Sequence, residues 1–287
     1  MADQKASPES RKGSGIRSLA RGLRVLRAVR ALGRSTLHDI HRATGLPKPT
    51  LFRILTTLEQ EGYVWRGMGD DLYRLSSRVL DLKEPISVSD IVAEFAAPFM
   101  DQLSAGAGWP SDIAVYQDGG MTIGETTRRR TPLIINRLAT APRVHMLMSS
   151  LGRAYLAFCR EEEQRDILRL LQQSSDPYNR RSHDEAYVRD LVTEVREQGY
   201  ALRQPGYSVT RPDEDEFIVQ LHSIAVPVRT DDRLYGCLSL VWIAEAASET
   251  DIIRAHLARL KTTAKNIAAE LGTNALAAVE PTSIRQS

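Results

Sequence analysis

Leu37–Val64 reads LHDIHRATGLPKPTLFRILTTLEQEGYV, and its punctuation predicts two helices joined by a short turn. Ser35 or Thr36 caps a first helix over Leu37–Thr44, which ends at Gly45, the residue best able to adopt a left-handed C-terminal conformation. Leu46-Pro47 makes the turn. A second helix runs from about Lys48 to Glu61 and stops at Gly62; Pro47 and Pro49 are tolerated at its start because first-turn N–H groups have no acceptor within the helix. Leu51, Ile54, Leu55 and Leu58 share one face of it. Pro49, Thr50, Arg53, Thr56 and Thr57 occupy the other, with Phe52 at the border.

Working outward, Ser18–Leu32 predicts a preceding helix. Leu19, Leu23, Leu26, Val29, Val25 and Leu32 fill one arc of its wheel, and Arg17, Arg21, Arg24, Arg27 and Arg34 fill the opposite one. Downstream, Tyr63–Arg66 and Asp71–Leu75 read as two short strands around Gly67-Met68-Gly69-Asp70, a hairpin wing carrying Arg66 and Arg74. Arg17–Arg53 holds nine Lys and Arg against one acid, Asp39. A basic block with apolar periodicity predicts a folded nucleic-acid binder rather than a basic tail. Small hydroxyls, Lys48 and Arg53 at the start of the second helix suit a major groove, where an Arg can grip guanine with two hydrogen bonds. Arg17, Arg21, Arg66 and Arg74 are then placed for phosphates.

The whole chain has 287 residues, a formal charge of +2 and 26% charged residues, which predicts two soluble domains. Residues 1–85 hold 16 Lys and Arg against 9 Asp and Glu, and the remainder 22 against 27. No apolar run is long enough to span a membrane, and Met1–Gly15 lacks the apolar core of a signal peptide, so the expected location is the cytoplasm. Cys159 and Cys237 are far apart and show no metal-ligand spacing; they read as buried thiols. Neither a nucleophile-elbow pattern nor a phosphate loop supports an enzyme. The expected organisation is a disordered 1–15, a DNA-binding domain over 16–78, a linker over 79–90 interrupted at Pro85, a second domain over 91–272 and a disordered 273–287.

The second domain predicts a helix over Ser89–Ala105, kinked at Pro98, then strands at Asp112–Tyr116 and Met121–Glu125 around Asp118-Gly119-Gly120. Helices follow at Ser150–Cys159, Glu161–Gln173 and Asp184–Gln198, strands at Ser223–Arg229 and Leu234–Ile243, and a last helix at Glu249–Leu271. Without strict βαβ alternation this is an α+β domain around one antiparallel sheet. Ser149 and Ser150 open a helix whose first turn holds Leu151 and Gly152, and unpaired first-turn amides favour a carboxylate.

RSLARGLRVLRAV (17–29), the Leu37–Val64 stretch, YRLSSRVLDL (73–82), MSSLGRAYLAFC (148–159), EVREQGYAL (194–202), SIAVPVR (223–229) and GCLSLVW (236–242) resemble, in this order, the IclR family of bacterial regulators over roughly residues 17–272. GWPSDIAVY (108–116) and ETTRRR (125–130) are similar to members that activate aromatic-acid (phenylpropionate-like) catabolic genes. The resemblance implies a winged helix-turn-helix followed by a GAF-like effector-binding domain. It also implies a homodimer or homotetramer on a pseudo-palindromic double-stranded operator, RNA polymerase as an activator's further partner, and no cofactor beyond a small effector. It places the effector pocket between the start of the Ser150 helix and the strand carrying Cys237, Ser239 and Val241, with Ser223 nearby and Met146, Met148 and Tyr155 as walls. Val241, Trp242 and Ile243 then make the pocket apolar and favour an aromatic carboxylate. Arg128, Arg137 and Arg143 are candidate second cations, each weighed against a solvated surface position, and Trp109 and Trp242 read as core. Gln204–Phe217 departs from the family pattern, so no acidic ligand is transferred there.

Overall fold

The computed structural model describes residues 16–82, 87–128, 143–207 and 220–274. The chain divides into two compact units, Met1–Pro85 and Ile86–Ser287. The first contains α1 (Arg17–Leu32), α2 (Leu37–Thr44), α3 (Lys48–Gln60), β1 (Val64–Arg66) and β2 (Tyr73–Leu75). Thr36 caps α2 in a reciprocal box: its hydroxyl accepts the Asp39 amide, and the Asp39 carboxylate accepts the Thr36 amide at 3.0 Å. Gly45 closes α2 with φ +67°, a conformation that other residues adopt only under strain. β1 and β2 pair antiparallel with Trp65 opposite Arg74. Ser35 and Tyr73 exchange two backbone hydrogen bonds, at 3.1 and 2.8 Å, which tie the wing to the residues before α2.

The core of this unit is Val25, Val29, Ile40, Leu46, Leu51, Leu55, Val64 and Tyr73. The expected apolar arc of α1 is therefore buried only at its centre. Leu19, Leu23 and Leu32 are 59%, 48% and 42% exposed. A 16-residue helix is about 24 Å long, and α2, α3 and the wing cover only the stretch around Val25 and Val29.

A 3-10 helix at Ser77–Leu82 enters the span expected as linker, and α4 (Val88–Ala107) begins inside that span, capped by Ser87. Residues 83–86, with Pro85, lie outside the described residues. The second unit contains β3 (Ser111–Gln117), β4 (Gly120–Thr126), β5 (Arg143–His145), α5 (Ser150–Phe158), α6 (Glu161–Gln172) and α7 (Glu185–Gln198). It continues with β6 (Ala201–Leu202), β7 (Leu221–Arg229), β8 (Leu234–Ile243) and α8 (Glu249–Asn274). Its sheet runs β5-β4-β3-β8-β7-β6 with antiparallel neighbours throughout. Asp118 and Gly119, both at positive φ, form the two-residue β3–β4 turn.

The pleat sorts this sheet into two cores. Ile113, Val115, Ile224, Val226, Leu238, Leu240 and Trp242 face α4 and α8. Ala114, Met121, Val144, Ala201, Ala225 and Cys237 face α5, which is backed by Ile167 and Leu171 of α6 and Leu191 and Val195 of α7. Each fully buried large aliphatic in these layers contributes about 1.5–3 kcal/mol relative to exposure. β5, β6 and a 3-10 segment at Pro177–His183 were not expected from sequence. The two strands are too short for a periodic signature and pair onto longer neighbours, β5 onto β4 and β6 onto β7.

Candidate DNA-binding surface and ligand pocket

α3 exposes the polar face that its sequence predicts. Lys48, Pro49, Arg53 and Thr57 are exposed and Thr50 is half-buried, while Leu51 and Leu55 anchor the helix from below. Thr57 donates its hydroxyl to Arg53 O at 3.0 Å, so toward a ligand it can only accept. Arg17 and Arg21 are exposed on α1. On the wing, Arg66 is half-exposed; it reaches Asp71 at 3.4 Å and lies 5.4 Å from the Tyr73 ring centroid. Arg74 departs from the expected free cation. It pairs with Asp70, stacks 4.6 Å from the Trp65 ring centroid and has a side chain only 17% exposed. Two residues four apart across the turn satisfy each other, a pairing that composition alone does not reveal.

The second surface lies on the α5 side of the sheet, where its floor is built from small residues. Residues two apart share a face. Ser223 therefore joins Ala225, Ser239 and Val241 join Cys237, and Asp112 joins Ala114. Ser150 Oγ, at the start of α5, meets Ser223 Oγ at 2.8 Å, and Ser239 Oγ donates to Asp112 O at 3.4 Å. Ser149 caps α5, accepting the Gly152 amide at 2.9 Å and donating to His145 O at 2.8 Å. The Ser150 and Leu151 amides have no acceptor among the described residues. Ser150, Ser223, Ser239 and Val241 thus lie on this face of the sheet, with Ser149 capping α5 beside them.

Other expected members serve the core. Met146 and Leu151 are buried in the α5 layer. Tyr155 stacks on Tyr116, with centroids 5.3 Å apart, and donates its hydroxyl to Glu163 at 2.6 Å, away from the α5 start. Burial, and next the Glu163 bond, push its pKa far up. Burial likewise raises Cys237 well above the usual thiol value and Cys159 to about 12. Gly152 is required by backbone: a Cβ there would lie 2.4 Å from Met146 Cα. Trp242 does not enrich the pocket in apolar surface. Pleat alternation turns it to the opposite core, where Nε1 donates to Ala247 O at 3.0 Å; Val241 alone faces α5.

Arg128, named as a candidate second cation and weighed against a solvated surface position, is buried and forks Asp112, a partner not expected from sequence, at 3.1 and 2.5 Å. Asp112 is 1% exposed and also accepts Thr126 Oγ1 at 2.6 Å. Arg143 is exposed and donates to Asp118 O, and Arg137 lies outside the described residues, as do residues 208–217 of the departing stretch. Beside the α5 start, His145 bridges Tyr207 Oη at 2.7 Å and Asp176 at 2.9 Å, with Tyr178 packed against both rings. Tyr207, on the edge of the departing stretch, has its pKa raised to about 12 by burial. Only the Asp–Thr–Arg spacing in DIAVY and ETTRRR could have hinted at the Asp112 cluster, and it has no local period.

Two sequence patterns match this architecture: the IclR helix-turn-helix domain over residues 18–66 and the bacterial transcriptional regulator IclR C-terminal domain over residues 85–269. The chain belongs to the IclR family. It is 24% identical over 241 residues to the HTH-type transcriptional regulator XynR of Escherichia coli K12, covering 83% of this chain and 90% of XynR. It is 27% identical over 278 residues to the HTH-type transcriptional repressor AllR of Salmonella typhimurium, covering 93% of each. In fold it is similar to the crystal structure of an IclR homolog from Microbacterium sp. strain HM58-2, with a TM-score of 0.51 at 23% identity over 89% of this chain and 98% of that one. The IclR-family chain is a DNA-binding transcription regulator and not an enzyme. No helix among the described residues is long and apolar enough to cross a membrane, and no cluster of metal ligands occurs among them.

Proposed function

We propose that this regulator binds a pseudo-palindromic operator as a dimer or tetramer and answers to an aromatic carboxylate held at the start of α5, activating catabolic genes for such acids. The observation that carries the reading is the pairing of an exposed, cation-flanked α3 with a buried polar floor in the other unit. Lys48, Pro49, Thr50, Arg53 and Thr57 enter the major groove; Arg17, Arg21, Arg66 and, from its ion pair, Arg74 hold phosphates. Exposed Leu19 and Leu23 on α1 support a second copy as cover. The antiparallel sheet with α5 on one face supports a GAF-like sensor. Effector binding biases the DNA heads only if the two head arrangements bind it with different affinity.

Arg53→Ala should cost about 1–3 kcal/mol of discrimination at one base position, whereas Arg21→Ala should weaken all sequences alike and flatten the salt slope by about one ion. Binding-site selection and salt titrations measure both; an unchanged selection profile for Arg53→Ala removes its base-reading role. A promoter reporter with and without 3-phenylpropionate reads the sign. The AllR relative is named a repressor, which favours a second reading: occupancy blocks transcription and the ligand relieves it.

A further inference from the structure

The polar end of the α5-facing floor holds more cation than anion. Asp112, Arg128 and Arg203 lie within electrostatic reach of one another. Asp112 is saturated by Thr126 and by both arms of Arg128, so that pair is close to neutral. Arg203 stands differently. Its amide extends the β6–β7 ladder by donating to Ser223 O at 3.0 Å, and as the second residue after Ala201 it takes the α5 side. Its Nε donates to Tyr207 O at 2.9 Å, and its guanidinium lies 4.9 Å from the Tyr207 ring centroid. No carboxylate pairs with it among the described residues.

Burial depresses the Arg203 pKa, with Tyr207 opposing and the like charge of Arg128 adding to the depression. A guanidinium does not shed its proton at neutral pH, so a cation held in this way is stabilised by an incoming anion. The same Ser223 whose carbonyl holds the Arg203 amide bonds Ser150 through its hydroxyl. Arg203 thus leaves the strand edge beside Ser223, the residue that Ser150 contacts at the start of α5. On β8, Val241 pairs with Ser223, and Ser239 lies two residues before it on the same face.

We propose that Arg203 is the carboxylate-binding residue of the pocket, taking a monoanionic organic acid on its fork while Arg128 and Asp112 form a neutral wall beside it. The assignment rests on the reading of this floor as the effector site. It makes one positive charge, not two, available to the ligand, which selects monoacids over diacids.

The test uses the full-length protein and calorimetry with 3-phenylpropionate and its neutral carboxamide. Wild type should prefer the carboxylate by about tenfold or more, the scale of a charge-assisted hydrogen bond. Arg203→Gln should bring the two ligands within about twofold of each other while carboxamide binding persists, which also shows that the pocket is folded. Arg203→Lys keeps the charge without the fork and should fall between; if the Gln variant does not fold, the Lys variant decides. A carboxylate preference that survives both substitutions overturns the assignment but leaves the pocket standing. So does wild-type binding of the carboxamide but not of 3-phenylpropionate, benzoate, cinnamate or pyruvate. Carboxylate binding that ignores Ser223→Leu, which fills the floor, overturns the pocket reading itself. If none of the five compounds binds wild type, both fail.

Discussion

The two units place their cations in opposite environments. The head keeps Arg17, Arg21, Lys48 and Arg53 exposed around a core of eight buried apolar residues. The second unit has two apolar layers and sinks Arg128 and Asp112 between sheet and helix on one side of it. An exposed cation is hydrated, costs the fold little and remains available to phosphate. A buried one must be compensated inside the protein or by a ligand. The contrast separates cations that the head leaves exposed from a cation that the fold of the second unit already pairs.

The comparison is broken most severely at Asp112. Asp112→Ala strips the partner from a buried guanidinium and should cost about 3–5 kcal/mol. Urea unfolding followed in the second unit measures it; a loss comparable to a surface substitution means Arg128 is better hydrated than its burial indicates. Alkaline pH sharpens the contrast less drastically. In the second unit, burial raises Cys159 to about 12, Tyr207 to about 12 and Cys237 well above the usual thiol value. A raised folded pKa means that stabilisation is complete below the unfolded value and is lost as pH rises through the folded one. The second unit should therefore lose stability from about pH 9 upward, and the thiols should stay unreactive to alkylation at pH 8 until denaturant is added. Among the described residues of the head only Tyr73 is raised, by burial, so its melting should shift less over the same range. The smallest effect belongs to the wing: Asp71→Asn removes an exposed partner of Arg66 and should change stability by about 0.5 kcal/mol or less. A drop as large as that of Asp112→Ala would erase the distinction.

The sequence made the head almost wholly legible. Capping residues, glycine stops and 3.6-residue periodicity are local, so the bounds of α1, α2 and α3 agree with expectation to within a residue. It also revealed strands at Ser223–Arg229 and Leu234–Ile243, the first of which starts two residues earlier in the structure, and that serines open α5. The orientation of their side chains was harder. Val241 and Trp242 are adjacent, apolar and indistinguishable by composition, yet one faces α5 and the other the opposite core. The pleat gives two faces but does not say which helix covers which.

By itself, then, the sequence determined the longer elements, their order and the basic face, because each rests on local patterns, and the succession of those patterns along the chain pointed to the family. Only the tertiary structure decided which charges are covered or paired. Arg74 meets Asp70 across a turn, Arg128 meets Asp112 from 16 residues away, and Arg203 reaches the same floor from 91 residues beyond Asp112. Burial is set by what long-range packing lays over a side chain, and no local spacing encodes it.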